Sequence, residues 1–110
     1  MTIATKVLVD SKYMEASQQD QVTPTVQTFI DTFSVTNIST ATANFSVNIT
    51  AINDTVDNKN KIIDQKSVRS GETIIVSEVI GNVLETGNKL STIASSGSAL
   101  VMRICGREIT

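Results

Sequence analysis

Asn44-Phe45-Ser46-Val47-Asn48-Ile49-Thr50-Ala51 alternates polar and apolar residues without a break. Successive side chains of a strand point to opposite sides, so Phe45, Val47, Ile49 and Ala51 share one face. Asn44, Ser46, Asn48 and Thr50 share the other. The stretch therefore reads as a strand half buried and half in water. The rest of the chain fits around it. Val and Ile dominate the apolar residues, and both are stiff at χ1 and suit a pleated surface.

The chain has 110 residues, enough for one domain with a real core of its own. Hydrophobic residues make up 40% but aromatics only 4%, so Phe29, Phe33 and Phe45 are the few large fillers available to that core.

Upstream, Ile3 to Val9 reads as a first strand, with Ile3, Val7 and Val9 on one side. Asp10 to Thr25 is polar, rich in Gln and Ser, and holds the single proline, Pro24. It reads as a long loop: either a surface loop or an extended arm reaching a neighbour. Val26 to Thr36 is a second strand, with Phe29, Phe33 and Val35 on one face. Asp31 interrupts that face, which places it at an interface rim or in a bulge. Asn37 to Thr40 breaks the chain, and the strands on either side are expected to pair as a hairpin.

Downstream, Asn53 to Lys61 reads as an exposed loop and Lys61 to Arg69 as a strand with Ile63 and Val68 imperfectly in phase. Ser70-Gly71-Glu72 is a tight turn, and a strand starts at Thr73. Val79, Ile80, Val83 and Leu84 then recur at helical spacing. With Ser77 as a cap and Gly87 as a left-handed stop, they predict one short helix or helical turn over Glu78 to Glu85. Lys89 to Ala94 and Ser98 to Ile109 close the chain as strands, with Ser95-Ser96-Gly97 read as a hairpin loop. Leu100, Met102 and Ile104 point to the core, and Val101, Arg103, Cys105 and Arg107 point away. The expected fold is all-β: one β-sandwich or jelly-roll domain over 1–110, with a possible arm at 10–25.

Chemistry is thinly represented. Histidine is absent, which removes the commonest general base and metal ligand. Cys105 is the single cysteine, so no internal disulfide is expected. Arg103 and Arg107 flank it on one strand face, a weak signal for a reactive thiol. Asp54, Asp57 and Asp64 cluster with Asn58 and Asn60, but without the glycine and glutamate of a calcium-binding loop. The glycines form no phosphate cradle, and without tryptophan there is no stacking platform. Neither a cofactor nor a metal is expected, and no enzymatic activity.

Net charge is −2, and the 18% of charged residues are dispersed. That argues against nucleic acid and anionic membrane as partners. No export signal is visible at the start, so synthesis in a reducing cytoplasm is expected. Four Asn-x-Ser/Thr triplets, beginning at Asn37, Asn44, Asn48 and Asn53, then read as chance products of an Asn- and Thr-rich sequence.

Two segments carry a resemblance. Gly71-Glu72-Thr73 through Ile80-Gly81-Asn82-Val83-Leu84-Glu85-Thr86-Gly87-Asn88-Lys89-Leu90-Ser91, together with Met102-Arg103-Ile104-Cys105-Gly106-Arg107-Glu108-Ile109-Thr110, resemble small virion proteins of tailed bacteriophages. The likeness is to the capsid decoration, or staple, proteins of short-tailed phages similar to epsilon15. The resemblance implies a β-sandwich on the outside of an HK97-fold shell. There it would bind the major capsid protein and clamp neighbouring subunits as a homodimer, made in a bacterial host and acting on no small-molecule substrate.

The resemblance supplies no residue-level binding motif. The residues themselves nominate Tyr13, Met14 and Gln18 in the polar segment, and Arg103 and Arg107 on the last strand. Tyr13 and Met14 are apolar groups in a polar stretch, either docking anchors or a cover for the domain's own core. The arginines suit a partner's carboxylate or a solvated strand face. Two other functions compete: a different virion part, such as a tail, neck or head-fibre protein, and a carbohydrate-binding β-sandwich.

Overall fold

A computed structural model describes all 110 residues. Nine strands form: β1 (Ile3–Tyr13), β2 (Gln19–Val22), β3 (Gln27–Asn37), β4 (Ala43–Thr50), β5 (Lys61–Val68), β6 (Thr73–Ile75), β7 (Val83–Leu84), β8 (Lys89–Ala94) and β9 (Leu100–Ile109). One sheet runs β1-β9-β3-β6, with β7 also on β3, and the other runs β2-β8-β4-β5. Every pairing is antiparallel. Leaving aside the two-residue β7, the chain is an antiparallel ribbon whose first strand pairs with its last and so on inward: β1 with β9, β2 with β8, β3 with β6, β4 with β5. Rolling that ribbon into two packed sheets makes a jelly roll.

The topology corrects two expected hairpins. β3 and β4 lie in different sheets, and so do β8 and β9. The short links at 38–42 and 95–99 arch across the sandwich instead of folding strands onto one another. Of consecutive strands, only β4 and β5 pair.

The core lies between the sheets. Phe33 from one and Phe45 from the other approach at 6.4 Å between ring centroids, tilted by 38°. Leu100, Met102 and Ile104 are fully buried, as their alternation predicts. Bulges explain the imperfect periods elsewhere. The register of β3 slips at Asp31, between Ile30 and Thr32. Phe29 is thereby thrown to the opposite face from Phe33 and Val35, so it is not a core filler. β1 slips at Leu8, so Ile3 and Val7 point outward while Val9 points in. Gln65, with φ of 51°, is the extra residue that brings both Ile63 and Val68 into the core. Its N–H donates to Ser46 Oγ at 2.9 Å.

The polar face of β4 is not wet. Ser46, Asn48 and Thr50 are buried. The segment after β4 folds back over that face, where Asn48 Nδ2 donates to Asp57 O (3.0 Å) and Asn60 Oδ1 (2.8 Å). The one helical turn sits here, a 3₁₀ turn over Asn58–Asn60 capped by Asp57. Over Glu78 to Glu85, where one short helix or helical turn is expected, turns run over 77–81 and the short β7 follows, with no helix. The apolar residues at that spacing serve different neighbours: Val79 and Leu84 enter the core while Val83 points out. Gly87 is left-handed as expected, φ 84°, but it ends a turn and its N–H donates to Pro24 O.

The segment 10–25 holds the end of β1 and all of β2. It is fastened to the body by Met14 N–H to Leu100 O (2.8 Å) and Ala94 N–H to Glu15 O (2.9 Å).

Side-chain ties close both flanks of the sandwich. On one, Lys12 Nζ donates to Glu15 Oε2 (2.8 Å) and Gln21 Oε1 (3.1 Å), and Gln21 Nε2 donates to Glu15 Oε1 (2.9 Å) and Thr92 Oγ1 (3.1 Å). On the other, Lys66 Nζ of β5 meets Glu78 Oε2 at 2.8 Å. The Lys12 hydrogen bond lowers the pKa of Glu15 below its ordinary 4.5, and the Lys66 hydrogen bond does the same for Glu78.

A group whose folded pKa is depressed stabilises the fold above its unfolded pKa and ceases to as pH falls through the folded value. Stability is therefore expected to decline once pH drops below about 4.5. Both pairs are partly exposed, so each contributes at most ~1 kcal/mol after screening. Thermal melts of wild type and Glu15→Gln/Glu78→Gln across pH 3 to 7 check this. The double variant is expected to have the shallower acid limb.

Candidate interaction surface

The two sheets differ in what covers their outer faces. Around Asn48 the outer side of β4 is covered by its own 51–60 segment, and toward Asn44 and Ser46 it opens into a groove shared with Gln65 and Ile93. The outer side of the β1-β9-β3-β6 sheet has no such cover. Residues directly opposite in an antiparallel sheet share a face, so the register gives its cross-strand rows. They are Ile3–Ile109–Gln27, Thr5–Arg107–Phe29–Val83, Val7–Cys105–Thr32, Arg103–Ser34–Ile75 and Tyr13–Val101–Thr36–Thr73.

Apolar groups stand exposed on this face: Ile75 at 59%, Ile3 at 54%, Tyr13 at 50%, Val7 at 44% and Val83 at 42%. Its charges are paired. Arg107 Nε donates to both carboxylate oxygens of Asp31, at 3.1 and 3.0 Å, and its guanidinium lies 5.4 Å from the Phe29 ring centroid. Arg103 Nε is 3.6 Å from Asp10 Oδ1. The face is thus apolar at its borders and electrically neutral at its centre. Between Thr5–Val7 of β1 and Asp31 of β3 runs an open groove of about 270 Å³, floored by Cys105 and Gly106.

Three of the residues nominated from sequence meet on this face: Tyr13, Arg103 and Arg107. Two do not. Met14 is corrected: it is fully buried in the core and offers nothing to a partner. Its neighbour Tyr13 points the other way, because adjacent residues at the end of β1 take opposite sides. Gln18 is exposed but lies just before β2, beside the other sheet, where its Nε2 donates to Ser91 Oγ at 2.8 Å.

The sequence reading missed Phe29, Ile75 and Val83. Phe29 was legible in principle, since a bulge at Asp31 necessarily reverses the phase of what precedes it. Ile75 and Val83 sit in strands of three and two residues, too short to show a period. The acidic residues of the 54–64 segment take local roles. Asp57 accepts from Asn58 N, Asp54 accepts from Thr55 N, and Asp64 pairs with Lys61 at 3.3 Å.

No family model and no curated protein matches this chain. Among solved structures, a chain of the structure of infectious bursal disease virus, Gx strain, superposes with a TM-score of 0.56. The match covers 96% of this chain at 12% identity, and this chain spans 32% of the viral one. At that identity the likeness is one of fold, and it agrees with the jelly roll derived from the strand order.

Proposed function

We propose that this protein is a structural component of a virus particle, and that it acts by contact through the uncovered face of the β1-β9-β3-β6 sheet. The observation that carries this reading is that face itself: exposed Ile3, Val7, Tyr13, Ile75 and Val83 around a charge-neutralised Arg107–Asp31 centre. The jelly-roll likeness to a chain of a virus structure supports the virion setting. In the finer reading, the protein decorates the outside of a tailed-phage shell. Pairs of copies there bridge adjacent major capsid subunits, without catalysis. Weak contacts repeated over such a shell would add by multivalency.

Cryo-microscopy of particles made with and without this chain tests the reading. Lost external density and lower particle stability are expected; unchanged particles would overturn it. Copy number separates a decoration protein, near one per major capsid subunit, from a neck or tail part present in few copies. Ile75→Glu combined with Val83→Glu probes the face. Both positions are exposed, so stability is expected to change by no more than about 0.5 kcal/mol each. Binding to particles lacking the native chain is expected to be lost, as a pull-down by sedimentation with particles would show.

A further inference from the structure

The four sheet edges of this molecule are not alike. β6 is three residues long and β2 four. β5 is longer, but carries the Gln65 bulge and places Lys61, Asp64 and Lys66 along its length. Short strands, bulges and charges are the usual protections of an edge. β1 splits in two. Both of its register slips fall after Val7, whereas Ile3 to Val7 runs in unbroken register against Ile109 to Cys105.

The phase of that ladder is set at its end. Thr2 N–H donates to Thr110 O at 2.6 Å, and Thr110 N–H to Thr2 O at 2.8 Å. Hydrogen-bonding residues alternate along an antiparallel strand. The N–H and C=O of Ile3, Thr5 and Val7 are therefore the ones turned away from β9, toward solvent.

We propose that two copies of this chain join edge to edge through Ile3–Val7 of β1, antiparallel, with Thr5 on the two-fold axis. The register is self-complementary. Ile3 faces the partner's Val7, Thr5 faces the partner's Thr5, and Ala4 faces the partner's Lys6. All three outward-turned residues then meet outward-turned residues, so each free N–H finds a free C=O. Apolar and Thr–Thr pairs stabilise facing strands, and no like charges stand opposite.

Charge also matches across the seam. Lys6 already bonds Glu108 at 3.2 Å within its own copy. Glu108 is opposite Ala4 in β9. The small Ala4 thus lies between Glu108 and the partner's Lys6, and the ammonium is shared between two carboxylates. On the outer face, Ile109 and Ile3 continue into the partner's Val7 and Cys105 as one apolar row. The joined sheets make a single surface twice as wide. This pairing gives a seam to the two-copy arrangement proposed above. It rests on that reading only for its use on a particle, because the seam is complete without a shell.

Sedimentation of the full chain alone is expected to give a species of twice the 11.8 kDa chain mass. Thr5→Pro removes one seam N–H. It is tolerated by the fold, because that N–H does not face β9 and edge strands admit proline on their solvent side. The variant is expected to be a folded monomer by circular dichroism and sedimentation. In a Cys105→Ala background, Thr5→Cys is expected to form an interchain disulfide on mild oxidation, since directly paired strands bring such residues within bridging distance.

A wild-type chain that stays monomeric at its highest soluble concentration would overturn the proposal. So would a dimer that survives Thr5→Pro and gives no Thr5→Cys crosslink, since the copies would then meet elsewhere. If Thr5→Pro fails to fold, the crosslink alone decides. None of these outcomes depends on particle binding, so the capsid reading fails or holds separately.

Discussion

Gly106→Ala is expected to destabilise the protein by about 4 kcal/mol, a large part of the 5 to 15 kcal/mol that holds a typical domain folded. β9 is the middle strand of a β1-β9-β3 trio, and Gly106 lies opposite Lys6 on one side and Ile30 on the other. A methyl group there would fall well inside van der Waals contact of the Phe29 carbonyl oxygen and 2.8 Å from Leu8 Cδ1. The decisive clash is with Phe29, because backbone cannot turn aside as a side-chain end can. Phe29 is backbone held in the β3 ladder beside the Asp31 bulge. Leu8, the extra residue of the β1 bulge, packs against the core. Two bulges on flanking strands converge on one glycine, and Leu8 occupies the space a side chain would need. Urea denaturation should show the midpoint falling sharply with little change in slope. A change under about 0.5 kcal/mol would mean that β3 and β9 do not approach this closely.

Asn37→Ala is the second large effect, expected at about 3 kcal/mol. Asn37 is fully buried at the mouth of the sandwich, where β3 ends. Its Nδ2 donates to Ala41 O at 2.9 Å and to Val68 O at 2.8 Å. Its Oδ1 accepts from Ser39 N at 2.8 Å and Ser39 Oγ at 2.7 Å. Its backbone N–H donates to Glu72 O and its carbonyl accepts from Gly71 N, each at 2.9 Å. The side chain thus ties the β3–β4 arch to the end of β5, while the Asn37 backbone holds the turn before β6. Truncation leaves several of these groups unpaired out of water, at about 1 to 3 kcal/mol for each that stays dry. Asn37→Asp should be worse at neutral pH, since it sets a buried negative charge against two carbonyl oxygens. Thermal melts of the two variants beside wild type check the order. If Asn37→Asp proves the milder at pH 7, water reaches this site and the proposed packing of the arch is wrong.

Both residues show where the sequence stops speaking. Asn37 reads there as a turn former and a chance glycosylation triplet; its four side-chain bonds reach residues as far off as Val68. Gly106 reads as a scattered glycine, and only the nearness of Phe29 and Leu8 makes it obligatory. The nominated surface residues show the same boundary. Arg103 and Arg107 could be set on one face of the last strand because alternation is local, whereas Tyr13 was nominated as an apolar group in a segment read as a loop, which the structure makes the end of β1. Met14 was misjudged because a polar sequence neighbourhood says nothing about which residue turns inward at the end of β1.

Alternation with period two, β-branched composition and closely spaced turns sufficed to establish an all-β sandwich, to place every strand but β2 and β7, and to orient β9 residue by residue. These properties depend on each residue and its immediate neighbours, so they survive in one dimension. Which strands pair, where a bulge reverses a face, and which outer face keeps its exposure were settled only in three dimensions. Pairing β1 with β9 brings together residues about a hundred positions apart, such as Ile3 and Ile109. Such partners are chosen by packing across the core, which leaves no periodic mark in the chain.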